Sequence, residues 1–270
     1  METVRQIRGR APGIGAYKLF LMLREVYGEA MRGRDWFYRV MHEHGLMLKP
    51  PKRRHTTNSN HMFRKYGNLA RGMRPTGVNQ LWVADITYID TQEGVVYLHL
   101  LTDAFSHEII GWCVSDTLMA ENTVAALRMG IDNVSHLGLQ GLMHHSDRGV
   151  QYCCAAYTGV LRDIDARISM TEDGSPTDNA IAERVNGIIK QEWLYRMERP
   201  RDLVHARQVI GSIIDFYNDC RPHRSNPGMM PPRKLRRRIG KKDFFQISGK
   251  DEGTACLCEP CQERKKDTVK

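Results

Sequence analysis

Residues 79–116 read NQLWVADITYIDTQEGVVYLHLLTDAFSHEIIGWCVSD. Three β-rich runs lie within this stretch: NQLWVADITYID (79–90), VVYLHLLTDAF (95–105) and EIIGWCVSD (108–116). Short polar turns separate them, and TQEG between the first two suits a hairpin. Working downstream, AENTVAALRMGIDNV (120–134) reads as a helix and GLMHHSD (141–147) as a short strand ending in polar residues. YCCAAYTGVLRDID (152–165) reads as a helix despite Gly159, and ARISM (166–170) as a strand. NAIAERVNGIIKQEWLYR (179–196) and LVHARQVIGSIIDFYND (203–219) are two more helices. The order β-β-β-α-β-α-β-α-α predicts an α/β fold, a mixed sheet with helices on both faces. No internal repeat is present.

Upstream, GIGAYKLFLMLREVYG (13–28) carries Ile14, Tyr17, Leu21 and Val26 at roughly helical spacing. RDWFYRVMHEHGL (34–46) is a second helical pattern that Asp35 can cap and Gly45 can close. Two short Arg-rich helices around a turn suggest a helix-turn-helix, although small helical hairpins are common. Residues 49–78 are basic, rich in Pro, Asn and Gly, and without period, as expected of an extended linker. The tail from residue 231 is basic and turn-rich, and little of it looks packed. The boundaries read this way are 1–48, 49–78, 79–230 and 231–270.

Charge follows the same divisions. Residues 1–74 hold 16 Lys/Arg against 5 Asp/Glu, residues 75–230 hold 12 against 20, and residues 231–270 hold 12 against 6. An acidic middle is thus flanked by basic arms, the footprint of a polyanion partner. Solvated charge runs produce the same pattern, and charge alone does not separate the two readings. No apolar run is long enough to span a bilayer, and the N-terminal METVRQIRGRAPG lacks the apolar core of a secretory signal. Seven cysteines, an odd number, with no signal argue for a reducing, intracellular setting.

The acidic middle places three carboxylates at informative positions. Asp85 lies inside the first strand and shares a face with Val83 and Thr87. A carboxylate among apolar strand residues needs a cation, an Arg or backbone amides, and a bound metal is one such partner. Asp147 closes the fourth strand, and chemistry in α/β sheets gathers at the carboxyl ends of parallel strands. Glu183 opens a helix on which Asn186 and Lys190 share its face, although a solvated stripe has the same spacing. Hard cations such as Mg²⁺ take oxygen ligands, and three carboxylates can share two of them for phosphoryl transfer.

Other clusters carry less. The His pair of HHSDRG (144–149) looks at first like a zinc hint, but His144 and His145 end a strand and are assigned no chemistry. Gly149 is read as permitting the turn that follows. Cys256, Cys258 and Cys261 form C-x-C-x-x-C without an evident fourth ligand. Cys153, Cys154, Trp82, Trp112 and Trp193 read as core or near-core.

WVADITYI, HHSDRGVQY and SPTDNAIAERVNGIIKQE resemble the three acidic motifs of the retroviral-integrase-type transposase core, and 35 residues separate Asp147 from Glu183, the D-35-E spacing of that superfamily. The chain is similar to insertion-sequence-three-type transposases, in the form encoded by the second reading frame (OrfB). The N-terminal helical pair resembles their helix-turn-helix, and FYNDCRPHRSNPGMMPPRKL their closing motif. The third motif reads AERVNG where the family often has AESFFG. The resemblance covers roughly residues 8–238. It implies an RNase-H-like fold, with Asp85, Asp147 and Glu183 as catalytic metal ligands for Mg²⁺ or Mn²⁺, two per site. It implies a polynucleotidyl transferase that cleaves 3′ ends and transfers strands of double-stranded DNA, acting as a homo-oligomer on paired ends. A first-frame (OrfA) product is a further possible partner, no membrane is involved, and the location is cytoplasmic, at the nucleoid when bound to DNA. The DNA contacts expected are Arg34, Arg39, Lys52, Arg53, Arg54, Arg148, Asn186 and Lys190. Two other readings stand beside it: a DNA-binding regulator of the same fold without catalysis, and an RNase-H-type nuclease.

Overall fold

A computed structural model describes residues 1–48, 62–172 and 179–245. Its helices and strands follow in chain order: α1 (Glu2–Arg10), α2 (Ala16–Tyr27), α3 (Arg34–Glu43), β1 (Leu81–Asp90), β2 (Val95–Asp103), β3 (Ile109–Ser115), α4 (Ala120–Val134), β4 (Met143–Ser146), α5 (Val150–Cys153), α6 (Ala155–Asp163), β5 (Arg167–Met170), α7 (Ala180–Ile189), α8 (Leu203–Asp219) and α9 (Pro232–Phe245). The chain divides into two compact units, residues 1–51 with 215–270, and residues 52–214.

The larger unit is built on a five-stranded sheet of order β3-β2-β1-β4-β5. β1, β2 and β3 form an antiparallel meander, whereas β1–β4 and β4–β5 are parallel. This is the mixed sheet predicted above, in the RNase-H-like arrangement. Each face follows from strand alternation. Trp82 and Ala84 of β1 join Leu101, Ile110, Leu127, Tyr157 and Leu161 in a core beneath α4 and α6. Leu81 and Val83 face the other way and pack with Met143 and with Ala182 of α7. Gly111 explains the close fit of α4 on β3, because a Cβ there would meet the Ala126 carbonyl oxygen at 2.1 Å.

The structure refines three sequence readings in this unit and adds a fourth feature. Residues 152–165 are two helices rather than one, because Cys154 adopts an extended ψ of 154° between α5 and α6. The helix from 179 changes to a π turn over Lys190–Leu194 after α7. Residues 66–70 form neither helix nor strand, and a turn from Ala70 to Met73 follows, yet the stretch is docked: Met170 N–H donates to the Gly67 carbonyl at 3.2 Å, and Leu69 and Ala70 N–H donate to Ser169 Oγ. These residues cover the outer edge of β5, which would otherwise present unpaired backbone groups. The fourth is a clamp at the start of β1. Asn79, at φ 59°, donates its N–H to Asp103 Oδ2 at 2.8 Å and its side-chain amide to the Gly138 carbonyl at 2.9 Å. Ser106 holds the other Asp103 oxygen through N–H and Oγ, at 2.7 and 2.6 Å.

In the smaller unit, Phe20 of α2 meets Phe37 of α3 with ring centroids 6.0 Å apart, over a core that includes Leu19 and Met41. The helical pair is the one read from the sequence. α1 was not foreseen, since its nine residues present only Val4 as a buried apolar group. The expectation of an unpacked tail from 231 is corrected as far as Arg238. Pro232 starts α9 at a position where its missing N–H costs nothing, and Leu235 and Arg236 are buried. Lys234 pairs with Glu25 at 2.6 Å, and Arg233 with Asp219.

Candidate active site

β1 and β4 run parallel with Leu81, Trp82 and Val83 paired to Met143, His144 and His145. Two residues beyond the last pair on each strand stand Asp85 and Asp147, at one level on neighbouring strands. Asp85 and Asp147 are both half-buried. Burial pushes the Asp85 carboxyl up to about 7, and the Asp147 charge beside it pushes the same way, with a smaller push from Glu183. Two hydrogen bonds act against that rise. Asn186 Nδ2 donates to Asp85 Oδ2 at 2.7 Å, and Ile86 N–H donates to Asp85 Oδ1 at 2.9 Å.

Asp147 is aimed by its own backbone. Gly149 N–H donates to Asp147 Oδ1 at 2.9 Å, a short Asx-type turn leading into α5. Gly149 itself has φ −60°, so left-handed backbone is not the reason for glycine. A Cβ at 149 would lie 2.9 Å from Asp147 Oδ1 and 3.2 Å from Gln151 Oε1, and close approach is what excludes a side chain. The two histidines before it leave the site on opposite sides. His144 Nε2 meets Tyr157 Oη at 2.8 Å, and His145 Nδ1 meets Ser169 Oγ at 2.8 Å. Both rings are 1% exposed, so they are core groups, and burial lowers the His144 pKa to about 3.

Glu183 sits exposed on the first turn of α7. Its charge reaches Asp85, but among the described residues no three His, Cys, Asp or Glu side chains converge closely enough to hold an ion. The donor chemistry nevertheless fits a hard divalent cation: all three groups are carboxylates, and two of them are held together at a cost that a cation relieves.

The expected DNA contacts separate into three groups. Arg34 and Arg39 are exposed on α3, and Arg34 is paired to Asp35 at 3.0 Å. Arg148 lies half-buried beside Asp147. Lys52, Arg53 and Arg54 lie outside the described residues, as do Cys256, Cys258 and Cys261. Asn186 is 6% exposed and turned to Asp85, so its amide serves the carboxylate instead of pointing outward. Lys190 places Nζ 4.5 Å from the centroid of the Tyr88 ring. Burial lowers its pKa, and Asp85 and Asp90 act to raise it. Helical spacing showed that Asn186 and Lys190 share a face with Glu183, but not which strand residue each would meet.

Residues 75–176 match the Integrase core domain family, and residues 164–232 match a second Integrase core domain family. The chain is 39% identical over 209 residues to the "Insertion element IS600 uncharacterized 31 kDa protein" of Shigella sonnei, covering 76% of this chain and 75% of that one. It is 30% identical over 191 residues to the "Transposase for insertion sequence element IS904" of Lactococcus lactis, covering 68% and 73%. The fold is also that of a chain in the simian T-cell lymphotropic virus intasome in complex with PP2A regulatory subunit B56 gamma, with a TM-score of 0.50 and 14% identity over 86% of this chain and 72% of that one. No described helix is long and apolar enough to cross a membrane. With its integrase-type sheet and its similarity to proteins of mobile elements, the chain belongs to the insertion-sequence transposase family with an integrase core domain.

Proposed function

We propose that this transposase cleaves 3′ ends and transfers strands of double-stranded DNA, with Asp85, Asp147 and Glu183 as the ligands of Mg²⁺ or Mn²⁺, two ions to a site. The observation that carries the reading is the placement of Asp85 and Asp147 at one level on parallel β1 and β4, with the Asp85 carboxyl raised to about 7. When bound, the cations supply positive charge to the attacking and leaving oxygens of an in-line displacement. Asp85 and Asp147 provide fixed ligand oxygens, oriented by Asn186 and by the Gly149 N–H respectively. Glu183 closes the site from the first turn of α7. In cleavage a water oxygen attacks phosphorus, the bond to the 3′ oxygen breaks, and that oxygen takes up a proton given up by the water to become a 3′ hydroxyl. In transfer that freed 3′-hydroxyl oxygen forms a new bond to a target phosphorus, whose own 3′ oxygen leaves with a proton. No covalent protein intermediate is needed.

Arg34 and Arg39 on α3 and the basic 52–54 run hold the DNA backbone, and Arg148 and Lys190, in the unit that carries the carboxylates, hold the reacting strand. The working form is a homo-oligomer on paired element ends, with a first-frame partner supplying further end recognition. Incubation with a 3′-hydroxyl oligonucleotide duplex and Mg²⁺ tests the reading. Joined DNA products support it. Cleavage of RNA–DNA hybrids without joining supports a ribonuclease instead, and DNA binding without either product supports a regulator.

A further inference from the structure

We propose that Asn179 is the positioning residue that sets Glu183 against the two aspartates, by tying the first turn of α7 to the strand residue next to Asp85. This rests on the three-carboxylate reading above and deepens it by naming the group that aligns the third ligand. Asn179 stands at the N-cap of α7, where an asparagine side chain ordinarily accepts a hydrogen bond from its own helix. Here it makes no such bond. Its amide turns to the sheet instead, and Nδ2 donates to the Ala84 carbonyl at 3.0 Å. Pairing of β1 to β4 ends at Val83, so the contact falls between that pairing and Asp85. The Asn179 carbonyl in turn accepts the Glu183 N–H at 3.1 Å. One residue thus joins the peptide that precedes Asp85 to the backbone of Glu183.

Packing alone does not supply this alignment. Ala182 clusters with Leu81 and Val83, which alternate onto the Asp85 face of β1. Apolar contact is non-directional, however, and leaves a helix free to slide along a strand. The directed bond to Ala84 fixes how far along β1 the helix begins. About two turns on, Asn186 holds Asp85 itself, so α7 grips consecutive residues of β1 from two points. The arrangement is kept at a cost. Asn179 is 7% exposed, and its Oδ1 is buried without a partner among the described residues, which lowers stability. An asparagine that neither caps its helix nor satisfies its own oxygen is placed for alignment. With its backbone held, Glu183 brings its exposed carboxylate to the cation site by side-chain rotation alone.

The test is a double-mutant cycle on the full chain, read by calorimetric titration with Mn²⁺. Thermal melts in chelator report folding, and anisotropy of a labelled duplex reports DNA binding. Asn179→Ala is expected to bind the duplex within about threefold of wild type and to lose roughly 10-fold in Mn²⁺ affinity. In a Glu183→Gln background the same substitution is expected to change that affinity by less than about twofold, because the group it aligns is gone. Asn179→Ser separates alignment from capping. Its hydroxyl can cap α7 but is too short to span to Ala84, so it is expected to be as impaired as Asn179→Ala. Should the melts show Asn179→Ala unfolded, the Asn179→Ser cycle decides by the same criteria. Wild-type Mn²⁺ affinity in either Asn179 variant, or equal losses in both backgrounds, overturns the role of Asn179 alone. An Mn²⁺ affinity unmoved by Glu183→Gln overturns the three-carboxylate reading and the alignment together.

Discussion

Asp85 and Asp147 stand at the same level of adjacent parallel strands, because Val83 pairs with His145 and each carboxylate follows two residues later. The juxtaposition is a product of sheet topology rather than of local sequence, since 61 residues lie between them. Without a cation the arrangement is costly: burial first, and the Asp147 charge after it, raise the Asp85 carboxyl.

That raised carboxyl predicts a pH-dependent gain on neutralisation. The Asp85 pKa is raised from 3.8 to about 7, so between those values the folded state binds more protons than the unfolded state. Metal-free stability therefore falls as pH rises through this window. Asp85→Asn removes the dependence, and Asn186 can turn its unpartnered Oδ1 to the new amide. Thermal melts in chelator are expected to show the variant more stable than wild type at pH 8 by on the order of 1–2 kcal/mol, a few degrees, with the difference shrinking at pH 5. An equal difference at both pH values contradicts the account.

Asn186 is the counterweight in this pair. Its hydrogen bond favours the ionised Asp85, so Asn186→Leu should raise the Asp85 pKa further. Divalent cation affinity should drop roughly 10–100-fold, as for other residues that orient a ligand. Calorimetric Mg²⁺ or Mn²⁺ titration of both proteins at pH 7 and pH 9 reads this, and the deficit should narrow at the higher pH. A variant binding as wild type does would remove Asn186 from the site.

Two imidazoles predict the acid limb of stability. Burial lowers His99 to about 4 and His144 to about 3, whereas the unfolded values lie near 6.5. Both are neutral in the fold, so their contribution is complete above 6.5 and is lost as pH falls toward 4 and 3. His144→Phe keeps a ring among Tyr152 and Tyr157 but cannot be protonated. Its melting temperature is expected to fall less steeply between pH 6.5 and 4 than that of wild type, and parallel slopes would count against a neutral buried His144.

Gly111 offers a packing test away from the site. Gly111→Ala forces a methyl against the Ala126 carbonyl oxygen and the Gly130 backbone. Overpacking of this kind costs about 1–3 kcal/mol, more if α4 lifts from β3. A urea midpoint indistinguishable from wild type would show that α4 yields freely.

Much of this was legible in advance. The alternation of 79–116 sets the meander, and the Asp147-to-Glu183 interval motivates the chemistry proposed for the site. Other features depend on contacts between residues distant in sequence. Nothing local to Asn186 reveals that Asp85, 101 positions away, is its acceptor. The docking of 66–73 depends on Ser169 and Met170, and a polar stretch without period gives no sign of it. Gly149 reads as a turn glycine, but its role is set by the Asp147 side chain folding back. Local composition did locate α2 and α3, whereas α1 lacks the apolar stripe that would announce it.

The most direct measurement is strand transfer of a 3′-hydroxyl oligonucleotide in Mg²⁺ by wild type, Asp85→Asn, Asp147→Asn and Glu183→Gln, each checked for fold and DNA binding. Glu183 decides the matter, because it stands exposed while the two aspartates are already side by side. The account predicts that all three variants bind DNA and that each loses joining by at least about a hundredfold. Joining at the wild-type rate by Glu183→Gln, or by either aspartate variant, would contradict a shared three-carboxylate cation site.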